Sequence, residues 1–223
     1  MEWNLSTDVV VVGAGAAGLA AAVSARDHGA QVILVEENTD IGGHAMLSGG
    51  RVHLGGGNAL QKKHGIEDSP DKLFADWTDH RRGDARYNDR DLVRKHADES
   101  VATLQFLLDN GVTFIDKPIV TPDASSVPRV FVTHEWHIKE EIIAPHRNRN
   151  GSGLVRRLAE SARKKGAQIL CSHEMTRIVR DDDGVGQRSQ HRANVFDRRA
   201  EMDRLKIAHS FITNYSPYYF LCE

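Results

Sequence analysis

Residues 8–36 read DVVVVGAGAAGLAAAVSARDHGAQVILVE, from Asp8 to Glu36. A β-branched run, Val9 to Val12, ends in Gly13-Ala14-Gly15-Ala16-Ala17-Gly18. An alanine-rich segment follows, and a second apolar run, Val32 to Val35, closes on Glu36. Valine fits an extended strand, whereas alanine loses no side-chain entropy in a helix. The spacing therefore predicts strand, glycine turn, helix, strand and acid. Ala20, Ala21 and Ala22 give the helix small side chains for packing on a sheet, and Gly29 is placed to end it.

That order is the context a dinucleotide-binding fingerprint requires. Gly13 allows the tight turn out of the strand. Gly15 lets the backbone approach a pyrophosphate, and Gly18 lets the helix pack close to the strand. The first N–H groups of the helix face the phosphates, where the helix dipole favours negative charge. Glu36 lies about 20 residues beyond the glycines, where a carboxylate accepts hydrogen bonds from an adenosine ribose. A ribose 2′-phosphate would be repelled there, which disfavours an NADP-type ligand. A glycine turn without a ligand is the alternative for an isolated GxGxxG, but here strand, helix and acid fall in register.

The segment Asp40-Ile41-Gly42-Gly43-His44-Ala45-Met46-Leu47-Ser48-Gly49-Gly50 adds two glycine pairs. Paired glycines so soon after the ribose acid point to a backbone that passes close to something flat or phosphorylated. An NAD-only dehydrogenase does not need them. A ligand extending past its pyrophosphate to a bulky ring does. Gly55-Gly56-Gly57-Asn58 reads as a further flexible turn.

GAGAAG, VEE, GGHAMLSGG and HGIEDSPDKLFADW together resemble the flavoproteins of the fumarate reductase, succinate dehydrogenase and 3-ketosteroid Δ1-dehydrogenase family. The likeness continues through Ser100–Val112 and GSGLVRRLAESARKKGAQILCSHEMTRIVRDDDG, covering roughly residues 8 to 184. It implies an α/β, Rossmann-like FAD-binding domain with a mostly parallel sheet, incomplete at the C-terminus. It also implies FAD as cofactor. The chemistry implied is hydride transfer between flavin N5 and a C–C single or double bond of a small organic substrate, fumarate-like or enone/ketosteroid-like. By the resemblance, Gly13, Ala14, Gly15, Ala16, Ala17 and Gly18 hold the pyrophosphate. Glu36, with Glu37 beside it, binds the adenosine ribose. Gly42, Gly43 and His44 line the phosphate side, Ser48, Gly49 and Gly50 approach the isoalloxazine ring, and the backbone of Met175 faces the adenine. His44 stands near where succinate dehydrogenases carry a histidine bonded to FAD. The spacing to Gly49-Gly50 is one residue shorter than theirs, so non-covalent FAD is expected.

The chain has 223 residues, 40% of them apolar, and a formal charge of −2. Nothing global points to nucleic acid or an acidic membrane. Cys171 and Cys222 are the only cysteines, which suggests a reducing, cytoplasmic setting without a disulfide framework. No signal peptide is evident, and the run from Val9 to Val23 is too short and glycine-broken to span a bilayer. A small-molecule substrate is the expected partner; no protein partner is assigned. His134-Glu135-Trp136-His137 places its histidines at i and i+3 rather than i and i+4, so no metal is expected. No GxSxG or cysteine–histidine motif supports nucleophilic hydrolysis.

Asp68-Ser69-Pro70 reads as a helix start, with Leu73, Phe74 and Trp77 as packing residues. Val101, Leu104, Leu107 and Leu108 form an amphipathic helix capped by Gly111, and Val112 to Ile115 reads as a short strand. Ile119 to Pro128 is expected to be loop, and Val130 to Val132 a strand. Ser152 is expected to cap a helix ending near Lys164-Lys165-Gly166, followed by strands from Ala167 to Cys171 and Met175 to Val179. Asp182-Asp183-Gly184 is a turn that joins antiparallel strands. Beyond Gly184 no apolar partner strand is evident. Met202, Leu205 and Ile207 form a weak helical stripe, and the aromatic end Tyr215, Tyr218, Tyr219, Phe220 carries no family motif. The expected organisation is an FAD-binding domain over 1–184 without the family's capping domain, then an atypical tail over 185–223, as a truncation or shifted reading frame would produce. No catalytic residue is assigned; Arg129, Arg147 and Arg149 are arginines near the ligand half and no more. A catalytically incomplete FAD-binding fragment and an NAD-binding dehydrogenase domain stand as alternatives.

Overall fold

The structure, a computed structural model, describes residues 5–81, 88–116, 118, 127–136, 150–180, 190–197 and 204–210. In chain order the elements are β1 (Leu5–Ser6), β2 (Val9–Val12), α1 (Ala16–Asp27), β3 (Val32–Glu36), α2 (Gly43–Leu47), β4 (Arg51–His53), α3 (Ala59–Lys63), α4 (Pro70–Trp77), α5 (Arg90–Asp109), β5 (Val130–Val132), α6 (Gly151–Lys164), β6 (Gln168–Cys171), β7 (His173–Arg180), β8 (Gln190–Asp197) and β9 (Arg204–Ser210). They fall into two compact units, Met1–Met46 with Val155–Ser216, and Leu47–Leu154 with Pro217–Glu223. The sequence-based boundary at residue 184 does not coincide with this division.

The first unit is built on the parallel sheet β2-β3-β6, with Val10 opposite Ile33 and Glu36 opposite Cys171. A parallel pair needs a crossover, and α1 supplies it between β2 and β3. All five residues of β3 are buried, as a continuous apolar run in a parallel sheet demands. Ala16, Leu19, Ala20, Ala22 and Val23 are the buried residues that let α1 lie close to the chain around it. Val10, Ile33 and Val35 form a core cluster against which Leu5, Leu170 and Met175 pack.

A second sheet in this unit has the order β1-β9-β8-β7. It corrects the reading of the C-terminal segment. The partner strand not evident in the sequence is β8, which runs antiparallel to β7 with His173 opposite Asp197 and Arg180 opposite His191. The stripe of Leu205 and Ile207 lies in strand β9, not in a helix, and β9 pairs with β8. The polar, arginine-rich composition around them hid both strands, although Leu205 and Ile207 alternate with Arg204 and Lys206 at the period of a strand and stand opposite Val195 and Ala193. The Asp182–Gly184 turn, Met202 and the aromatic end lie outside the described residues.

In the second unit β4 and β5 pair antiparallel, with Val52 opposite Phe131. Helix α3 opens on a capping box: the Asn58 side chain accepts from the Gln61 N–H, and Gln61 reaches back to the Asn58 N–H. Ser69 caps α4, with Pro70 in its first turn, as expected. Asp89 caps α5. Ser152 is not a cap; it is the second residue of α6, and its hydroxyl accepts from the Trp136 N–H. Residues 112–115 form no strand, only a bridge between Phe114 and Thr133. Residues 119–126 lie outside the described residues.

The Gly55-Gly56-Gly57 turn is packed, not merely flexible. A Cβ on Gly55 would come within 2.4 Å of Leu73 Cδ1 and 2.7 Å of Asp68 Oδ2. The turn closes over a buried ion pair in which Arg129 Nε donates to Asp68 Oδ2 at 2.8 Å and its terminal nitrogens reach Asp68 Oδ1 at 2.7 Å and Asp76 Oδ2 at 2.6 Å. Burial works to raise the pKa of Asp68, but the hydrogen bonds from Arg129 and Gln61 outweigh it and hold the carboxyl below its ordinary value.

Near this network, Trp77 stacks on His96 at 4.9 Å and meets His53 edge-on at 6.1 Å. Burial, with His53 adding to it, pushes the His96 pKa down from 6.5 to about 4. Above pH 6.5 the imidazole is neutral folded or unfolded. As pH falls from 6.5 toward 4, the unfolded chain takes a proton that the folded one refuses, so stability is lost across that window, by about 3 kcal/mol if His96 acts alone. Denaturant midpoints measured at successive pH values should show this slope, and His96→Phe should flatten it. An unchanged slope in the variant would rule out His96 as its source.

Candidate dinucleotide site

Within the first unit, the turn after β2 carries three glycines with three different reasons. Gly13 adopts φ +92°, a conformation that other residues rarely take, and its N–H donates to the Val35 carbonyl at 2.8 Å. At Gly18 a Cβ would lie 1.9 Å from the Gly13 carbonyl oxygen, so any side chain would push α1 off the turn. Gly15 has neither constraint. Its φ of −75° suits any residue, and among the described residues no atom beyond its chain neighbours lies within 4 Å of where its Cβ would be. Nothing among the described residues requires glycine there.

Gly15 is also the N-cap of α1. No side chain caps this end and no acid stands in the first turn. Such a 12-residue helix presents N–H groups and positive dipole potential to an anion. Ala14, Ala16 and Ala17 add no polar side chain to compete. The residues present therefore fit a pyrophosphate.

Glu36, at the end of β3, is buried, with 6% exposure, and its carboxylate turns back to the glycine turn. Oε2 accepts from the Ala14 N–H at 2.7 Å; Oε1 accepts from the Asn38 N–H at 2.9 Å and from Asn38 Nδ2 at 2.8 Å. Glu37 is exposed beside it. The Asn38 carbonyl in turn accepts from the Ser172 N–H at 2.8 Å, and Ser172 holds φ +60° just past β6. Asn38 was not singled out in the sequence. The only signal was a short amide two residues beyond the acid, a spacing at which asparagine readily closes a local hydrogen bond.

Gly42 joins this site through a parallel bridge to Gly15, its N–H donating to the Ala14 carbonyl at 2.8 Å. A Cβ on Gly42 would lie 2.8 Å from Met46 and 3.1 Å from Val155 Cγ2, so the chain's own packing already requires this glycine. Gly43 passes Gly15 closely, since its Cβ would stand 3.7 Å from the Gly15 Cα. His44 is exposed on the first turn of α2. Arg156 of α6 pairs with Asp40 in the same loop. Met175 lies on β7 against the core. The structure thus brings together residues 13–18, Glu36, Gly42 and Gly43.

Ser48, Gly49 and Gly50 belong to the second unit. The Gly50 N–H donates to Ser48 Oγ at 3.2 Å, and its carbonyl accepts from the Thr133 N–H at 2.9 Å. A Cβ on Gly50 would lie 2.4 Å from Thr133 Oγ1, so its glycine too has an internal cause. One glycine of each pair, Gly42 and Gly50, thus has a cause within the chain.

Arg129 is a structural cation engaged with Asp68 and Asp76; Arg147 and Arg149 lie outside the described residues. His134 to Trp136 is not helical, His137 is not described, and no group of three or more metal-binding side chains exists among the described residues. Among the described residues no helix is long and apolar enough to cross a membrane.

Comparison with known proteins bears on this geometry. The chain is 29% identical over 184 residues to the NADH:fumarate oxidoreductase of Klebsiella pneumoniae (strain 342), covering 81% of this chain and 18% of that protein. It is 31% identical over 184 residues to a fumarate reductase (cytochrome) of Shewanella frigidimarina, covering 81% and 28%. It therefore spans less than a third of the length of these curated relatives. Among solved structures, the 3-ketosteroid-Δ4-(5α)-dehydrogenase of Rhodococcus jostii RHA1 superposes with a TM-score of 0.75 at 26% identity, over 94% of this chain and 45% of that one. The open conformation of a flavocytochrome c3 fumarate reductase gives 0.70 at 26%, over 92% and 32%. Residues 8–204 match the FAD binding domain family, past the 184 at which the sequence likeness faded, so the chain belongs to that family and FAD is its cofactor.

Proposed function

We propose that this chain is the flavin-holding part of an oxidoreductase acting on a C–C single or double bond of a small fumarate-like or enone/ketosteroid-like substrate. Bound FAD would supply the hydride chemistry. The chain's own residues bind and orient. The α1 N-terminus with Gly13 to Gly18 receives the pyrophosphate, and Glu36, flanked by Glu37, accepts from the adenosine ribose. Gly42, Gly43 and His44 line the phosphates, Ser48 to Gly50 serve the ring side, and the Met175 backbone serves the adenine. Gly15 carries the reading, because its lack of a side chain has no cause among the described residues. A cytoplasmic location is part of the proposal, on the two-cysteine composition.

Expression of the full chain should yield a yellow protein with a flavin absorbance spectrum that bleaches with the saturated partner of the enoate or enone substrate. Acid precipitation should leave the pellet colourless, since FAD is held without a bond to His44. A colourless protein that takes up NAD would overturn the proposal. A second reading, favoured by the engagement of Arg129 in an internal ion network, is an FAD-holding chain with no substrate site of its own. It would give a stable flavin spectrum that no substrate changes.

A further inference from the structure

Glu36 is already heavily used before any ligand arrives. A carboxylate offers about four lone-pair positions, two on each oxygen. Three are taken by this chain: one on Oε2 by the Ala14 N–H, and two on Oε1 by the backbone and side-chain amides of Asn38. The backbone of Asn38 is itself fixed, because its carbonyl accepts from the Ser172 N–H. Ser172 is the one non-glycine residue among those described that holds a positive φ, at +60°, and it follows Cys171, the strand partner of Glu36. The same backbone kink that ends β6 thus clasps the loop after β3. Asn38 is exposed while Glu36 is buried, and both of its amides bond to the same oxygen, Oε1.

We infer that Asn38, clasped by Ser172, presets the Glu36 carboxylate with a single acceptor position on Oε2, so that the site reads one hydroxyl of the adenosine ribose rather than both. Asn38 is a positioning residue: it acts through Glu36 and decides how many ribose hydroxyls count. This rests on the reading of Glu36 as the ribose acceptor. The clasp also fixes the plane of the carboxylate, which a side chain with three rotatable bonds would otherwise lose entropy to adopt on binding.

The test compares three ligands on the apo form of the full chain: FAD, its 2′-deoxyadenosine analogue and its 3′-deoxyadenosine analogue, with affinity read from quenching of flavin fluorescence. In the unaltered protein, removing one of the two hydroxyls should weaken binding about tenfold or more, and removing the other by less than about twofold. Asn38→Ala frees a second acceptor position on Oε1, so both deletions should then weaken binding. Asn38→Asp keeps the shape but removes the donor and places a carboxylate beside Glu36, and should weaken all three ligands. Comparable losses for both analogues in the unaltered protein would overturn the inference, as would an Asn38→Ala protein that keeps the one-sided pattern. Glu36→Ala separates the two ideas: if it leaves FAD affinity unchanged, the ribose reading itself is wrong. If it weakens FAD while the unaltered protein loses equally from both deletions, only the role of Asn38 fails.

Discussion

Arg129→Met is expected to lower the stability of the protein by about 3–5 kcal/mol, read as a shift in the urea midpoint at unchanged slope. The guanidinium is 4% exposed and the Asp68 carboxylate 0%. Methionine fills much the same volume, so the loss is not chiefly one of packing. What remains is a carboxylate sealed under the Gly55–Gly57 turn, with Gln61 and the Gly56 N–H to hold it and no cation. Its pKa in the folded variant must rise above the unfolded value, because burial is then opposed only by neutral donors. A raised folded pKa favours the folded state below the unfolded pKa and penalises it as pH climbs. The cost of Arg129→Met should therefore shrink in mild acid and grow toward neutrality. Pairing it with Asp68→Asn should recover part of the loss, since neither charge is then left alone. A loss under about 1 kcal/mol, or one that does not vary with pH, would show that the pair is not the support described.

The same network marks where sequence reading reached its limit. The strand–turn–helix–strand of residues 9–36 is local: valine, glycine and alanine set it within a few residues of themselves, and β2, α1 and β3 stand where the pattern puts them. Glu36 was legible because its distance from the glycines is fixed by one helix and two strands. Arg129 and Asp68 are 61 residues apart, and nothing in the spacing of either announces the other. Asn38 was missed for a different reason. An asparagine after an acid is common in loops, and only the placement of the carboxylate oxygens shows that it fills Oε1 and leaves a position on Oε2. Strands β8 and β9 were missed because their apolar residues, Ala193, Val195 and Phe196 in one and Leu205, Ile207 and Ala208 in the other, are sparse in a polar segment, although the Asp182–Gly184 turn foretold an antiparallel return that β8 supplies. Gly42 and Gly50 each have a cause within the chain, a neighbouring side-chain or backbone atom close to where a Cβ would stand, which spacing does not reveal.

That distinction between glycines supports the sharpest functional expectation. Gly15→Ala and Gly18→Ala add the same methyl group three residues apart, and they should fail in different ways. At Gly15 the new Cβ meets nothing, and the backbone is already in an extended conformation, so the unfolding midpoint should move by no more than about 1 kcal/mol, the scale of an N-cap change. The methyl stands where a phosphate must approach the N–H groups of α1. Charge-assisted hydrogen bonds to an anion are each worth about 1.5–3 kcal/mol, so displacing the pyrophosphate from two of them should weaken FAD by about 100-fold or more. At Gly18 the methyl falls 1.9 Å from the Gly13 carbonyl oxygen, which is backbone and cannot swing aside. The helix must move off the strand, at a cost of about 1–3 kcal/mol, and FAD affinity should fall with it because the turn itself is displaced. Titration of FAD into each apo protein, alongside denaturant unfolding without FAD, separates the two. If Gly15→Ala retains full affinity, then no ligand approaches the backbone there, and the glycine that the chain's own structure leaves unexplained would have lost its explanation.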